Sequence, residues 1–167
     1  SANEGDEISV ILDITPFYAE SGGQVADIGT IIGEGFELDV KDCKKVTGER
    51  FAHICKVISG EVKVGDSCIA KIDSKRRMST ARNHSTTHLL HKALRKYLGT
   101  HIEQAGSYVA PDRLRFDFTH FKAMTKEELD LIEKEVNEAI LASYNVEIKE
   151  TSIDEAKKLG AMALFGE

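Results

Sequence analysis

A chain of 167 residues with 41% hydrophobic content is long enough to bury a core, as one domain or as two small ones. It contains no apolar run near the roughly 18–20 residues that cross a bilayer and opens on no signal peptide, so a soluble, cytosolic protein with no membrane partner is expected. A net charge of −6 speaks against nucleic acid, and three cysteines without a close pair, Cys43, Cys55 and Cys68, argue against a disulfide framework and a zinc ribbon.

Ser1-Ala2-Asn3 lacks an initiator methionine and Phe165-Gly166-Glu167 stops without a polar tail, the pattern expected of an excised fragment. Residues 7–14 carry β-branched Ile8, Val10, Ile11 and Ile14 ahead of Pro16, which predicts a strand ending near Asp13. Then comes Thr15-Pro16-Phe17-Tyr18-Ala19-Glu20-Ser21-Gly22-Gly23-Gln24. Adjacent glycines permit positive φ and let another backbone or a ligand come close; a plain hairpin turn is the competing reading. Strands near 26–32, 36–44, 51–58 and 67–72, separated by glycines, predict a small antiparallel barrel or sandwich, with the cysteines reduced and His53 an interior residue.

At Asp73-Ser74 the hydrophobic period changes from two to 3.6. The expected fold class is therefore α+β: a small antiparallel β-barrel subdomain over 1–73, then an α/β subdomain over 74–167 whose antiparallel sheet is packed by long helices. The run from Ser74 to Leu98 has neither proline nor glycine, and Leu90, Leu94, Tyr97 and Leu98 recur at i, i+4, i+7 and i+8, a helix closed by Gly99.

Inside that helix lies Arg82-Asn83-His84-Ser85-Thr86-Thr87-His88-Leu89-Leu90-His91. His84 and His88 stand one turn apart on one face, so their imidazoles can meet at a single metal ion, although a lone pair at this spacing is more often structural or incidental. His91 lies near the same face, at the border between core and solvent. The zinc-peptidase helix carries a glutamate after its first histidine; Ser85 stands there instead, which argues against peptide hydrolysis. Between Lys71 and Lys96 eight basic residues face Asp73 alone, a local +7 that leaves −13 for the rest and would draw phosphates toward the histidines. A solvated basic helix face is the alternative.

Residues 102–109 and 113–118 read as a hairpin around Ala110-Pro111-Asp112, with Leu114, Phe116 and Phe118 on one face. Gln104 is a polar strand residue within reach of the histidine helix, or simply faces solvent. Thr125-Lys126-Glu127-Glu128 is a capping box ahead of a helix whose Leu129, Ile132, Val136 and Ile140 share a face. A strand over 146–150, a second capping box at Ser152-Ile153-Asp154-Glu155, a stop at Gly160 and an apolar Ala161-Met162-Ala163-Leu164-Phe165 complete the chain.

Four segments, in order, resemble the editing domain of bacterial alanyl-tRNA synthetases. They are the stretch from Thr15 to Gln24, Arg82-Asn83-His84 through His88-Leu89-Leu90, Gln104-Ala105-Gly106-Ser107 with Arg113-Leu114-Arg115-Phe116-Asp117-Phe118, and Gly160 to Glu167. The resemblance runs from about Glu7 to the end. It implies a domain that hydrolyses the ester of Ser-tRNA(Ala) and Gly-tRNA(Ala), with the tRNA(Ala) acceptor end and the remainder of a parent synthetase as partners and zinc as cofactor. His84 and His88 match the first two zinc ligands, Thr87 and Gln104 match pocket positions, and Gly22-Gly23 matches a glycine-rich turn packed against the pocket. In the family the second ligand pair, a cysteine and a histidine, falls beyond the segment matching Phe165-Gly166-Glu167, so this chain is expected to hold zinc weakly or not at all and its own hydrolysis to be impaired. Competing readings are a free-standing trans-editing deacylase and a non-catalytic tRNA-binding module whose basic helix grips the acceptor stem.

Overall fold

A computed structural model describes residues 1–48, 50–147 and 149–160. They divide into two compact units, Ser1–His84 with Tyr108–Leu114, and Ser85–Ser107 with Arg115–Glu167.

The first unit is built on β1 (Ala2–Asn3), β2 (Glu7–Ile11), β3 (Gly29–Gly33), β4 (Phe36–Val46), β5 (Arg50–Val62) and β6 (Cys68–Ile72). These form one six-stranded antiparallel sheet in the order β1-β5-β4-β3-β6, with β2 also on β5. Alternation explains the inner face: Phe36, Leu38 and Val40 of β4 are buried while Glu37 and Asp39 between them are not. An irregularity between Val40 and Asp42 then shifts the parity by one, so the next buried residue is Cys43 rather than Asp42. Ile31, Cys55, Val57 and Phe17 complete this core.

The expected closed barrel does not form. Among the described residues β2 pairs only with β5 and β6 only with β3, leaving the sheet open. Closure needs the two edge strands about 4.8 Å apart. Instead, residues of both edges, Ile8, Val10, Leu12 and Cys68, line an apolar hollow of about 310 Å³.

His53 on β5 is fully buried, as expected of an interior residue. Its Nδ1–H donates to the Val10 carbonyl at 2.9 Å, and Nε2 accepts from the Thr15 hydroxyl at 2.7 Å. Both ring nitrogens are thereby satisfied in the neutral form, and burial lowers the His53 pKa despite the bond to Val10. The unfolded chain therefore takes up a proton, as pH falls through its ordinary value of 6.5, that the folded chain refuses. Stability should accordingly rise between about pH 5 and 7 and level off above, with a slope of at most about 1.4 kcal/mol per pH unit from this residue. Urea midpoints measured across that range check this; midpoints that fall as pH rises would contradict it.

All three cysteines are free thiols on strands of this unit. Burial pushes the Cys43 thiol up to about 11 and the Cys55 thiol up to about 12, with Asp42 and Asp39 respectively adding to it.

A single helix, α1 (Ser74–Leu98), follows with the predicted bounds. The Asp73 carboxylate accepts from Arg76 N–H at 3.0 Å at its start, Gly99 with φ +117° ends it, and Arg95 and Lys96 in the last turn suit the negative end of its dipole.

In the second unit, the C-terminal turns of α1 pack Ala93 and Leu94 with Ile102 and with Ile132 of α2 (Lys126–Leu141). β7 (Gln104–Val109) and β8 (Leu114–Phe118) form a two-stranded sheet, and Phe116 and Phe118 join the same cluster. The capping box of α2 is complete: Thr125 Oγ1 accepts from Glu128 N–H at 3.2 Å, and Glu128 Oε2 accepts from Thr125 N–H at 2.8 Å. The buried face of α2 is narrower than its periodicity predicts, since Leu129 and Ile140 are about half exposed. In α3 (Ile153–Lys158) the Ser152 side chain caps Glu155 N–H, while the Glu155 carboxylate turns to Lys158 at 3.0 Å.

The strand expected over 146–150 is absent among the described residues, because no neighbouring strand offers the backbone partners that extended chain needs. The expected segment from Ala161 to Phe165 lies outside the described residues. No helix among the described residues is long and apolar enough to cross a membrane.

Candidate functional site

The glycine-rich stretch is a tight turn. Ser21 and Gln24 exchange both backbone hydrogen bonds, at 2.8 and 3.3 Å, across Gly22 and Gly23 with φ of +56° and +79°. Positive φ at both central positions is the type I′ pattern, which side chains with a Cβ adopt at a cost. This is the hairpin-turn reading of the stretch, and the turn delivers the Gln24 side chain. Gln24, 8% exposed, is bracketed by two backbone bonds, Val109 N–H to the Gly23 carbonyl at 2.8 Å and Val25 N–H to the Val109 carbonyl at 3.0 Å. Its Oε1 accepts from His84 Nδ1–H at 2.7 Å.

Further contacts hold the N-terminal half of α1 to the same unit. Asn83 Nδ2 donates to the Ala110 carbonyl at 2.7 Å. Arg77 grips Asp27 through Nε, at 2.8 and 2.9 Å to the two carboxylate oxygens, and through Nη2, and Nη2 also reaches the Pro16 carbonyl at 3.1 Å. Asp27, 4% exposed, accepts from Tyr18 N–H at 2.8 Å as well, so this carboxylate ties the aromatic pair of the loop to the helix.

His84 is half-buried and His88 is exposed, four residues apart on one unbroken helix. Thr87 between them is buried, and Gln104 opens β7 half-buried. His91 departs from expectation. Rather than lying at the border of core and solvent it is 4% exposed, with its ring 5.2 Å from that of Phe116. It bonds the Ile102 backbone, Nε2 has no hydrogen-bond partner among the described residues, and burial lowers its pKa. The helical wheel located it correctly beside the apolar stripe and could not show that β8 covers that edge.

Among the described residues no group of three or more histidine, cysteine, aspartate or glutamate side chains is arranged to hold a metal ion. Cys43 and Cys55 are committed to the core of the sheet as protonated thiols. Half of the basic run is used by the fold: Arg76 donates to the Ala26 carbonyl, Arg77 pairs with Asp27, Arg95 donates to the Ile102 carbonyl, and Lys96 meets Glu135. Lys71, Lys75, Arg82 and Lys92 are exposed, and Arg82 donates to the Ser79 hydroxyl at 2.8 Å. In the hairpin, Gly106 faces Asp117 so closely that a Cβ would lie 2.8 Å from its Oδ2.

Sequence reasoning had not singled out Gln24. The signal was available in principle, as a polar residue leaving a Gly-Gly turn, but its partner lies 60 positions away.

Residues 1–76 match the family described as tRNA synthetases class II (A). Over 166 residues, 99% of this chain, the sequence is 60% identical to an alanine–tRNA ligase of Acetivibrio thermocellus. It is 55% identical over 165 residues to that of Alkaliphilus oremlandii, and 51% identical over 166 residues to that of Xanthomonas euvesicatoria. The chain spans 19% of the length of each of these relatives.

Proposed function

We propose that this chain is the editing segment of an alanine–tRNA ligase, and that within the complete enzyme it hydrolyses Ser-tRNA(Ala) and Gly-tRNA(Ala). The observation that carries the reading is the pair His84 and His88 on consecutive turns of one helix, with the His84 ring held by Gln24. Matches that cover 99% of this chain, at 60% and 55% identity, but only 19% of each ligase support an embedded segment over a free-standing deacylase. Residues 1–73 serve as a β-rich platform and 74–167 as the editing core, acting in the cytoplasm with the rest of the synthetase.

A ligase needs such a site because a pocket sized for alanine cannot sterically exclude glycine and rejects an added hydroxyl poorly; one-group differences give only about 10- to 200-fold discrimination. An aminoacyl ester is already activated, so hydrolysis requires a positioned water and stabilisation of the oxyanion. Thr87 recognises the serine hydroxyl and Gln104 donates to the reacting ester. The exposed Lys71, Lys75, Arg82 and Lys92 meet the phosphates of the acceptor end.

His84 and His88 fit zinc as two nitrogen donors. An imidazole whose Nδ1–H donates to a carbonyl oxygen coordinates through Nε2, the usual state of a metal-bound histidine, and His84 is held in that state by Gln24. Two donors are fewer than the three or four a zinc site needs. The others would come from elsewhere in the complete enzyme. When bound, zinc supplies Lewis-acid polarisation or orientation of water at the ester.

The test is deacylation of preformed Ser-tRNA(Ala), Gly-tRNA(Ala) and Ala-tRNA(Ala) by the full-length ligase carrying this segment. The first two should be hydrolysed and the third spared; equal rates on all three would overturn the reading. In the same assay Gln104→Ala should slow hydrolysis of Ser-tRNA(Ala) on the order of 100-fold, the size of losing one oxyanion donor. An unchanged rate would remove Gln104 from its role.

A further inference from the structure

We propose that Asp117 binds the α-ammonium group of the aminoacyl ester, on the face of the β7–β8 hairpin that carries Gln104. The inference rests on the deacylase reading above and adds to it the residue that fixes the amine end of the substrate.

Strand geometry brings the two residues together. Side chains on a strand alternate, so Gln104 and Gly106 share one face of β7. Gly106 stands opposite Asp117, because a Cβ at Gly106 would lie 3.6 Å from the Asp117 Cβ and 2.8 Å from its Oδ2. The carboxylate therefore lies across β7, in the space a side chain at position 106 would fill, and next along that face comes Gln104. Diagonal neighbours of this kind stand about 7–8 Å apart, close to the span of an O=C–C–N unit held by a hydrogen bond of about 2.9 Å at each end. The carboxylate is also open to a ligand. Phe116 and Phe118 on either side of it turn to the opposite face and into the core. Its partner Arg115 reaches Oδ2 through Nε at 3.1 Å, and with side chains 67% and 46% exposed this pair is weak and uses one of the two oxygens. Every aminoacyl ester carries an amine beside its scissile carbonyl, largely protonated below about pH 7, and a carboxylate accepts charge-assisted hydrogen bonds from it. Held at both ends, the ester can send its side chain in one direction only.

The experiment measures single-turnover deacylation by the full-length ligase of Ser-tRNA(Ala) and of its α-hydroxy analogue, in which a hydroxyl replaces the amine. Each rate is taken relative to that ester's uncatalysed hydrolysis, which removes the intrinsic difference in reactivity. On this scale the native enzyme should favour the amine by about 10- to 100-fold, the size of a hydrogen bond to a charged group. Asp117→Asn keeps the shape and loses the charge. It should slow Ser-tRNA(Ala) by about the same factor and leave the analogue within about threefold of native, so that the preference collapses. The analogue thus serves as the control for folding. Equal losses on both esters in Asp117→Asn would mark a merely structural role, and an unchanged rate on Ser-tRNA(Ala) would remove Asp117 from the site. Either result overturns this inference and leaves the deacylase reading standing. If the native enzyme hydrolyses neither ester, both fall.

Discussion

Replacing His84 by alanine in the full-length ligase should cut hydrolysis of Ser-tRNA(Ala) by at least about 100-fold. The argument is one of donor number. Zinc sites need three or four protein ligands, and in the proposed site His84 and His88 on α1 would supply two of them, so removing either would weaken the hold on the ion. Several kcal/mol of charge stabilisation depend on a bound metal, and each 1.36 kcal/mol is tenfold in rate. His88→Ala should match it. The double variant should lose little more, because residues that act as one unit are not additive. Single-turnover deacylation, with charging by alanine as the internal control, measures both. A loss below about threefold in either single variant would exclude that histidine from the site.

Arg77→Met should destabilise the chain by about 3–5 kcal/mol, the cost of leaving a buried carboxylate without its partner. Asp27 is 4% exposed and Arg77 is the cation that faces it, with a guanidinium covering both carboxylate oxygens. The penalty lies in the stranded charge more than in the lost attraction. Asp27→Leu in the Arg77→Met background should therefore recover a large part of the loss, and a double-mutant cycle by urea unfolding reads the coupling. Additive single effects would show that the pair is not coupled. Because the same carboxylate anchors Tyr18 N–H, the single variant should also loosen the loop that ends in the Gly-Gly turn.

Helices were the most legible part of this chain. The bounds of α1 follow from a run without glycine or proline and a 3.6-residue period, and the start of α2 from its capping box, both local features. Strands β2 to β6 of the first sheet were legible to within a few residues, since alternation and glycine punctuation are local too, whereas the two-residue β1 was not. Closure of that sheet was not, because it depends on the separation of β2 and β6, which no alternation encodes. The stretch over 146–150 has strand-like composition, and composition cannot supply the neighbour that pairing requires. In the candidate site the spacing of His84 and His88 was plain, whereas the burial of His91 and the bond from His84 to Gln24 join segments distant in sequence.

The measurement that bears most directly on the editing reading is accumulation of mischarged tRNA. The full-length ligase is supplied with ATP, serine and tRNA(Ala), and Ser-tRNA(Ala) is followed over time. With the native segment the ester should stay near background, and with His84→Ala and His88→Ala together it should build up to a plateau. Equal accumulation by the native and doubly substituted enzymes would contradict the account.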